Sequence, residues 1–164
     1  MHTFLTFLLL FAATPTLTPA TPPPPQLVSG PGFEGVIISA EECLASDPRH
    51  LLKPSDVWTP SVADVREVET VLPAYISSPD AMRVLRESRI PSELARYRRQ
   101  YWGTVRSGRR EVRVLYYHAD TDIVRKGIWS RGILAVMGGG DRFFQVLFRM
   151  STKRFHDLTV NAPL

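Results

Sequence analysis

The chain contains very little cysteine and very little lysine. Cys43 is the only cysteine among its 164 residues, so no disulfide can form within one molecule and the fold has to be stabilised by packing. Of the 20 basic residues only 3 are lysines, and the formal net charge is +4. No apolar run reaches the roughly 20 residues that a helix needs to cross a bilayer. A disulfide-stapled scaffold is therefore excluded.

The first 32 residues differ in composition from the rest. An uncharged apolar run, Phe4 to Ala13, resembles the core of a signal peptide, and small residues at Thr18 and Ala20 predict cleavage after Ala20. Because no Lys or Arg precedes this run, an uncleaved anchor is the alternative. Residues 21–32 are rich in proline and predict an extended spacer. We therefore expect an exported protein, periplasmic or extracellular, with a signal peptide over residues 1–20.

Residues 33–164 are long enough for one domain with a single core of helix on sheet. Thr59 is a good N-cap and Pro60 fits the first helical position, so a helix is predicted to begin there. We expect it to end near Pro73. Its apolar face carries Val62, Val65, Val68 and Leu72. A shorter, more polar helical stretch is predicted from Pro79 to about Glu87.

The segment from Gln100 to His118 predicts a β-hairpin. Gln100–Arg106 and Glu111–His118 are rich in aromatic and β-branched residues, and the intervening Ser107–Arg110 is typical of a hairpin loop. In the second strand, apolar residues alternate with polar ones, so we expect one face in the core and the other partly exposed to solvent. A separate short strand is predicted at Phe33–Ile38.

A second hairpin is predicted downstream. Gly132–Met137 and Arg142–Met150 flank Gly138–Asp141, whose glycines accept positive φ at little cost. Arg154–Val160 is predicted as an edge strand, because its charged residues discourage pairing with another molecule. The sequence thus predicts an α+β domain. In it, one main helix and a smaller helical stretch pack on a four-stranded antiparallel meander, in a cystatin-like layout.

Charge is distributed unevenly along the chain. Residues 32–80 hold nine acidic and three basic residues, net −6, whereas residues 81–113 hold three acidic residues and ten arginines, net +7. Arginines that interleave with aromatic residues are typical of surfaces that bind phosphates and stack on bases or sugars. The predicted binding residues are Tyr101, Trp102, Arg106 and Arg113. The alternative is a solvated basic face that pairs with the acidic half of the chain.

Glu69 lies at the edge of the main helix's apolar face, about 60° from its centre at 100° per residue. A buried, unpaired carboxylate is strongly unfavourable, so we predict a structural ion pair between Glu69 and Arg99. The alternative is a general acid or base, since desolvation raises the pKa of a carboxyl group.

Other candidate sites carry less specific patterns. Cys43 is a candidate nucleophile, although free cysteines are among the most buried residues. His118, Asp120 and Asp122 offer alternate ligands for a hard cation, but the rest of a calcium loop is missing. This run is therefore interpreted as a polar exit from a strand. Gly138–Gly140 lacks the Gly-Lys-Ser/Thr ending of a phosphate loop.

His156 and Asp157 are neighbours on the predicted edge strand. Successive side chains of a strand point to opposite faces of the sheet. We therefore predict that the two residues do not form a hydrogen-bonded dyad.

Several short motifs occur together between Trp58 and Asn161. They are Trp58-x-Pro60 before the helix that carries Glu69, the sequence YRRQYWG from Tyr97 to Gly103, a glycine-rich turn, and Phe155-x-x-Leu158-x-Val160-Asn161. In this combination the chain resembles a group of small exported bacterial proteins of unknown function. The resemblance implies a helix against an antiparallel sheet, and export, but no activity. Members continue the tail with Asn-Gly, whereas this chain has Asn161-Ala162-Pro163.

Two classes of function remain. The first is a non-catalytic envelope or extracellular binding module whose basic, aromatic sheet surface contacts an anionic or protein partner, with nucleic acid ranked behind these. The second is a small hydrolase-like enzyme that uses Glu69 or Cys43. We predict no cofactor, no metal and no transmembrane segment in the mature chain.

Overall fold

The computed structural model describes residues 23–47 and 51–163, so the predicted signal peptide lies outside the described residues. The fold is α+β, as predicted, and its sheet has seven strands. The strands are β1 (Gln26–Gly30), β2 (Phe33–Ile37), β3 (Val57–Trp58), β4 (Tyr97–Arg106), β5 (Arg109–His118), β6 (Phe143–Arg149) and β7 (Arg154–Val160). The helices are α1 (Ala40–Ala45), α2 (Val62–Ile76), α3 (Pro79–Leu85), α4 (Ile90–Glu93) and α5 (Asp122–Arg125).

The predicted four-stranded antiparallel meander in a cystatin-like layout is wrong. The strands lie in the order β1-β2-β4-β5-β6-β7, and β3 also pairs with β4. The sheet is open and mixed, because β2 runs parallel to β4 whereas the other paired strands are antiparallel. Parallel neighbours need a long crossover, and the chain between β2 and β4, which contains α1 to α4, supplies it. The predicted edge strand β7 is confirmed.

Part of the predicted spacer belongs to the sheet. Gln26–Gly30 forms β1, which pairs with β2 along its whole length. Val28 is buried in the core, and the positive φ of Gly32 lets the chain reverse into β2. The prediction of a spacer over residues 21–32 is therefore wrong for these five residues, because the proline run ends before them.

The main helix begins and ends later than predicted. Ser61, rather than Thr59, is the N-cap of α2, and it forms a capping box with Asp64. Pro73 lies inside the helix instead of ending it. Proline lacks an N–H group, so one intrahelical bond is lost there, but burial of Ile76 beyond it favours continuation of the helix. Helix α3 ends two residues before the predicted Glu87.

The β4–β5 hairpin is confirmed, with a shorter loop than predicted. The two strands pair from Tyr97 opposite His118 to Arg106 opposite Arg109, which leaves only Ser107 and Gly108 in the loop. Both loop residues have positive φ, as a tight two-residue hairpin turn requires.

The sheet carries an apolar core on each face. On one face α2, α3 and α4 pack against residues such as Tyr101, Val114 and Phe148. On the other face α1, α5 and residues 129–136 pack around Val36 and Tyr117. Among the described residues, no helix combines the length and the apolar character needed to cross a bilayer.

Residues 132–137 do not form a strand. They form an irregular cover over the sheet face opposite α2. Side-chain donors of Gln100, Tyr117 and Asn161 bind the carbonyls of Gly132, Leu134 and Val136, at 2.6, 3.0 and 2.7 Å respectively. Because side chains supply these hydrogen bonds, the segment needs no neighbouring strand. The edge of β5 with which it could have paired is occupied by β6. The predicted second hairpin is wrong, although Gly138 to Gly140 do adopt positive φ.

Candidate binding face

In the described part of the chain, one end of one sheet face has no helix over it. It is the face opposite α2, on which α1, α5 and residues 129–136 cover only the end near Tyr117. The uncovered remainder is the open face. It consists of Trp102, Arg106, Glu111, Arg113, Gln145, Leu147, Arg149, His156, Asp157 and Thr159. Alternation along β4, β5 and β6 brings these side chains to one side.

Glu111 lies at the base of the open face and is only 1% exposed. Its Oε1 atom lies 3.1 Å from Arg149 Nη2 and 3.0 Å from His156 Nε2. Glu111 Oε2 is buried and has no hydrogen-bond partner among the described residues. The two basic neighbours offset the cost of removing this carboxylate from water.

A β-bulge in β7 brings His156 and Asp157 together. Two residues of β7 lie opposite Val146 alone, and Asp157 has a φ of 53°. Aspartate adopts this left-handed conformation more readily than most residues. Asp157 Oδ2 lies 3.2 Å from His156 Nδ1 and 3.4 Å from Arg106 Nη1. The expectation that these two side chains point to opposite faces is therefore wrong, because the bulge breaks the strand's alternation. They are in contact without a hydrogen bond between them, so the predicted absence of a hydrogen-bonded dyad is not overturned.

Arg113 is the arginine of the open face that lacks an acidic partner. Its Nη1 donates to Gln145 Oε1 at 2.9 Å, and its guanidinium carbon lies 5.9 Å from the centre of the Trp102 ring. It forms no ion pair with any residue in 23–47 or 51–163, because the nearby carboxylates are bound elsewhere. Burial and the charge of Arg106 lower the pKa of Arg113, against the opposing effects of Glu111 and Asp157. A half-buried cation beside another cation favours the approach of an anion.

Two cavities adjoin at Gln145. The first, of about 360 Å³, is polar, and its lining residues are Arg106, Arg113, Gln145, Leu147, Asp157 and Thr159. The second, of about 270 Å³, lies between the sheet and the cover formed by residues 133–136. Gln145 lines both cavities. A charged recess and an apolar recess are thus neighbours on one face.

Tyr101 does not belong to the open face, which corrects the predicted surface. It is 0% exposed, and its hydroxyl group donates to Glu69 Oε1 at 2.7 Å beneath α2. The reason is the alternation of side chains: Tyr101 and Trp102 are adjacent on β4 and point to opposite faces. The other three predicted residues, Trp102, Arg106 and Arg113, do lie together on the open face.

The structure brings Glu69 and Arg99 together under α2. Arg99 Nε lies 3.2 Å from Glu69 Oε1, and the two side chains are 9% exposed or less. Arg99 also donates to the carbonyl of Tyr97 at 2.9 Å and lies over the ring of Tyr116. Burial raises the pKa of Glu69, against the opposing effects of Arg99 and Tyr101. Glu69 additionally lines a groove of about 470 Å³.

No protein-family model, no curated protein and no solved structure matches this chain. The resemblance to small exported bacterial proteins stays a prediction.

His118 lies buried at the end of β5, between two carboxylates. Its Nε2 is 2.8 Å from Glu93 Oε2, and its Nδ1 is 2.8 Å from Asp120 Oδ1. Asp122, the first residue of α5, is not part of this group and pairs with Arg125 at 2.7 Å and with Lys126 at 3.0 Å. Within residues 23–47 and 51–163, no set of three or more His, Cys, Asp or Glu side chains is placed to hold a metal ion.

Cys43 lies in α1, and its thiol is buried in the core around Val36 and Tyr117, on the sheet face opposite α2. Burial, together with the charge of Glu42, raises the pKa of the thiol to about 12. The thiolate is the nucleophilic form of cysteine, so it is scarce at neutral pH. This environment opposes the use of Cys43 as a nucleophile.

The sequence prediction missed Glu111, Gln145 and His156 as parts of the face. Period-two alternation puts Gln145 and Arg149 on the same side of β6. Together with the pairing of β5 and β6, this alternation is enough to place them near Arg113. His156 reaches the face by regular pairing, opposite Leu147 of β6, whereas no local signal marked Asp157, whose position depends on the bulge.

Proposed function

We propose that the chain is a non-catalytic binding module that acts at the cell envelope or outside the cell and binds an anionic partner through the open face. The observation that carries this proposal is the absence, among the described residues, of an acidic partner for Arg113. Glu111 is bound by Arg149, and Asp157 is bound by Arg106. Each acidic group of the face thus forms an ion pair with another residue, and among the described residues Arg113 forms none of its own.

The surroundings of Arg113 add positive potential. Two further arginines of the β4–β5 hairpin, Arg106 and Arg109, are exposed and lie on the same side of the sheet as Arg113. A cluster of one charge sign attracts anions of opposite sign and speeds their encounter. Export is supported by the apolar run and the small residues before Thr21 in the sequence.

Heparin, a sulfated polysaccharide, is a suitable probe of this proposal. We expect the protein to be retained on immobilised heparin and eluted by salt, since screening weakens contacts between exposed charges. The double variant Arg106→Glu/Arg113→Glu is expected to elute at clearly lower salt. The matched control, Arg66→Glu/Arg83→Glu, changes the net charge equally but lies on α2 and α3.

The two double variants distinguish binding through the open face from binding that depends only on the net charge of the protein. Elution of the control near the position of the unaltered protein, with early elution of the open-face variant, supports the proposal. Equal shifts in both variants, or failure of the unaltered protein to bind, contradict it. Melting temperatures of all three proteins show whether each is folded.

A small hydrolase-like enzyme stays the second candidate, and one observation favours it. Glu69 combines a pKa raised by burial with a position on a groove, as a general acid or base requires. Both Tyr101 and Arg99 already contact its Oε1 atom. That engagement favours a structural role, so we rank the binding module first.

A further inference from the structure

We infer that the polar recess at Arg113 and the apolar cavity beside it form one site for a small amphiphilic anion. The anionic head, a carboxylate or a phosphate, binds at Arg113, and the apolar chain or ring enters the cavity under residues 133–136. This inference rests on the proposed function and specifies its ligand class.

The head site consists of a guanidinium group that is already oriented. Arginine has five N–H donors in a planar fork that fits carboxylate and phosphate oxygens. Gln145 Oε1 accepts from Nη1 of Arg113 at 2.9 Å, and Trp102 lies alongside the guanidinium. These contacts hold the group in place while other donors stay available. Binding then costs less side-chain entropy than it would with a free surface arginine.

The tail site is a small apolar cavity of about 270 Å³. Its principal apolar lining residues are Trp102, Leu115, Ile133, Leu134, Val136 and Phe143. The outer wall is fixed, because Gln100, Tyr117 and Asn161 bind the carbonyls of that segment. A preformed apolar recess with a few polar groups at its mouth is typical of small-molecule sites. Its volume suits a short chain or a single ring.

The two parts are joined by shared residues. Trp102 lines the apolar cavity and lies 5.9 Å from the Arg113 guanidinium carbon, and Gln145 lines both recesses. A simple polyanion leaves the apolar cavity unfilled, whereas a neutral apolar molecule leaves Arg113 without a partner. A ligand that has both an anionic head and an apolar tail satisfies the whole site.

Octanoate is the probe that tests this inference, by titration calorimetry on the full chain. Octanamide is its uncharged analogue, and acetate is the head without the tail. We expect octanoate to bind with one-to-one stoichiometry and at least tenfold more tightly than octanamide, with no measurable binding of acetate. Equal affinity for octanoate and octanamide overturns the role of Arg113, and absence of octanoate binding overturns the inference.

Two variants test the two halves of the site separately. Arg113→Gln is expected to weaken octanoate binding at least tenfold and to leave octanamide binding unchanged. Ala135→Trp, at an exposed residue that lines the apolar cavity, is expected to weaken both ligands. Arg66→Gln on α2 is the control for lost charge and is expected to change neither. Octanoate binding that survives both Arg113→Gln and Ala135→Trp contradicts the inference, provided that their melting temperatures show folded proteins.

The result can be separated from that of the proposed function. Retention on heparin that depends on Arg106 and Arg113, without octanoate binding, keeps the anion-binding face and overturns the amphiphile site. Octanoate binding without heparin retention supports the site and contradicts a face for large polyanions. Vesicles of phosphatidylglycerol, with phosphatidylcholine as the neutral control, form the last arm. Binding to the anionic vesicles but not to octanoate assigns the face to a membrane surface and overturns the inference.

Discussion

Arg99 on β4 and Arg113 on β5 are two arginines removed at least partly from water, on opposite faces of one sheet. The Arg99 guanidinium pairs with Glu69, donates to backbone carbonyls and lies between aromatic rings. Arg113 is bonded to the neutral amide of Gln145 and lies beside Trp102. Both residues belong to the same basic segment of the sequence. The partners of an arginine, rather than its place in a charged run, therefore distinguish the structural group Arg99 from Arg113, the group proposed to bind an anion.

Breaking the buried pair is expected to give the largest effect. Glu69→Met leaves the Arg99 guanidinium buried without its carboxylate, and arginine does not lose its charge in proteins. We expect a loss of about 3–5 kcal/mol in the free energy of unfolding, measured by urea denaturation. The control is Glu67→Met on the same helix, which removes a half-exposed pair with Lys153 and is expected to cost about 1 kcal/mol or less.

Equal losses in the two glutamate variants contradict this account of the pair. They would mean that water reaches Arg99 through the groove beside Glu69 and replaces the carboxylate. The comparison between the two arginines would then lose its basis, since neither guanidinium would depend on an acidic partner.

A smaller effect is expected when the hydroxyl groups around the same pair are removed. The Tyr101 hydroxyl donates to Glu69, whereas the Tyr116 hydroxyl is buried without a hydrogen-bond partner among the described residues. Tyr101→Phe is expected to destabilise the protein by about 1–3 kcal/mol, because a charge-assisted bond is lost. Tyr116→Phe is expected to change stability by less than about 0.5 kcal/mol, because its hydroxyl group forms no hydrogen bond that the substitution would remove. Urea denaturation of both variants checks this, and a larger loss in Tyr116→Phe contradicts it.

Period-two alternation predicts much of the sheet and of the face. It places Val112, Val114 and Tyr116 on one side of β5 and leaves Arg113 on the other. The same rule, applied to β4, places Tyr101 and Trp102 on opposite faces. Alternation alone therefore shows that both residues cannot belong to the predicted binding surface. A prediction based only on closeness in sequence grouped residues that the pleat separates.

Other parts of the fold depend on distant partners that no local pattern announces. Residues 132–137 have the composition of a strand, but donors from Gln100, Tyr117 and Asn161 hold them as a cover. The parallel pairing of β2 with β4 joins segments more than 60 residues apart, such as Gly35 and Arg99. The bulge at Asp157 likewise follows from the register between β6 and β7. These long-range contacts decide the shape of the candidate site.

The smallest expected effect is a difference in how stability depends on pH. Burial raises the pKa of Glu69 above its ordinary 4.5, so the unfolded chain ionises first as the pH rises and the contribution of Glu69 to stability falls above that pH. His118 and nearby arginines lower the pKa of Asp120 below its ordinary 3.8, against the raising effect of burial. Its contribution is present above that pH and is lost as the pH falls.

Two conservative variants report these opposite dependences. The stability of the unaltered protein relative to Glu69→Gln is expected to decrease as the pH rises from 4 to 7, by urea denaturation at each pH. Relative to Asp120→Asn it is expected to decrease as the pH falls from 4 to 2. The same sign in both series would mean that Arg99 outweighs desolvation at Glu69, as in an ordinary ion pair. The opposite signs expected here would mean that Arg99 compensates only partly for the cost of burying the Glu69 carboxylate.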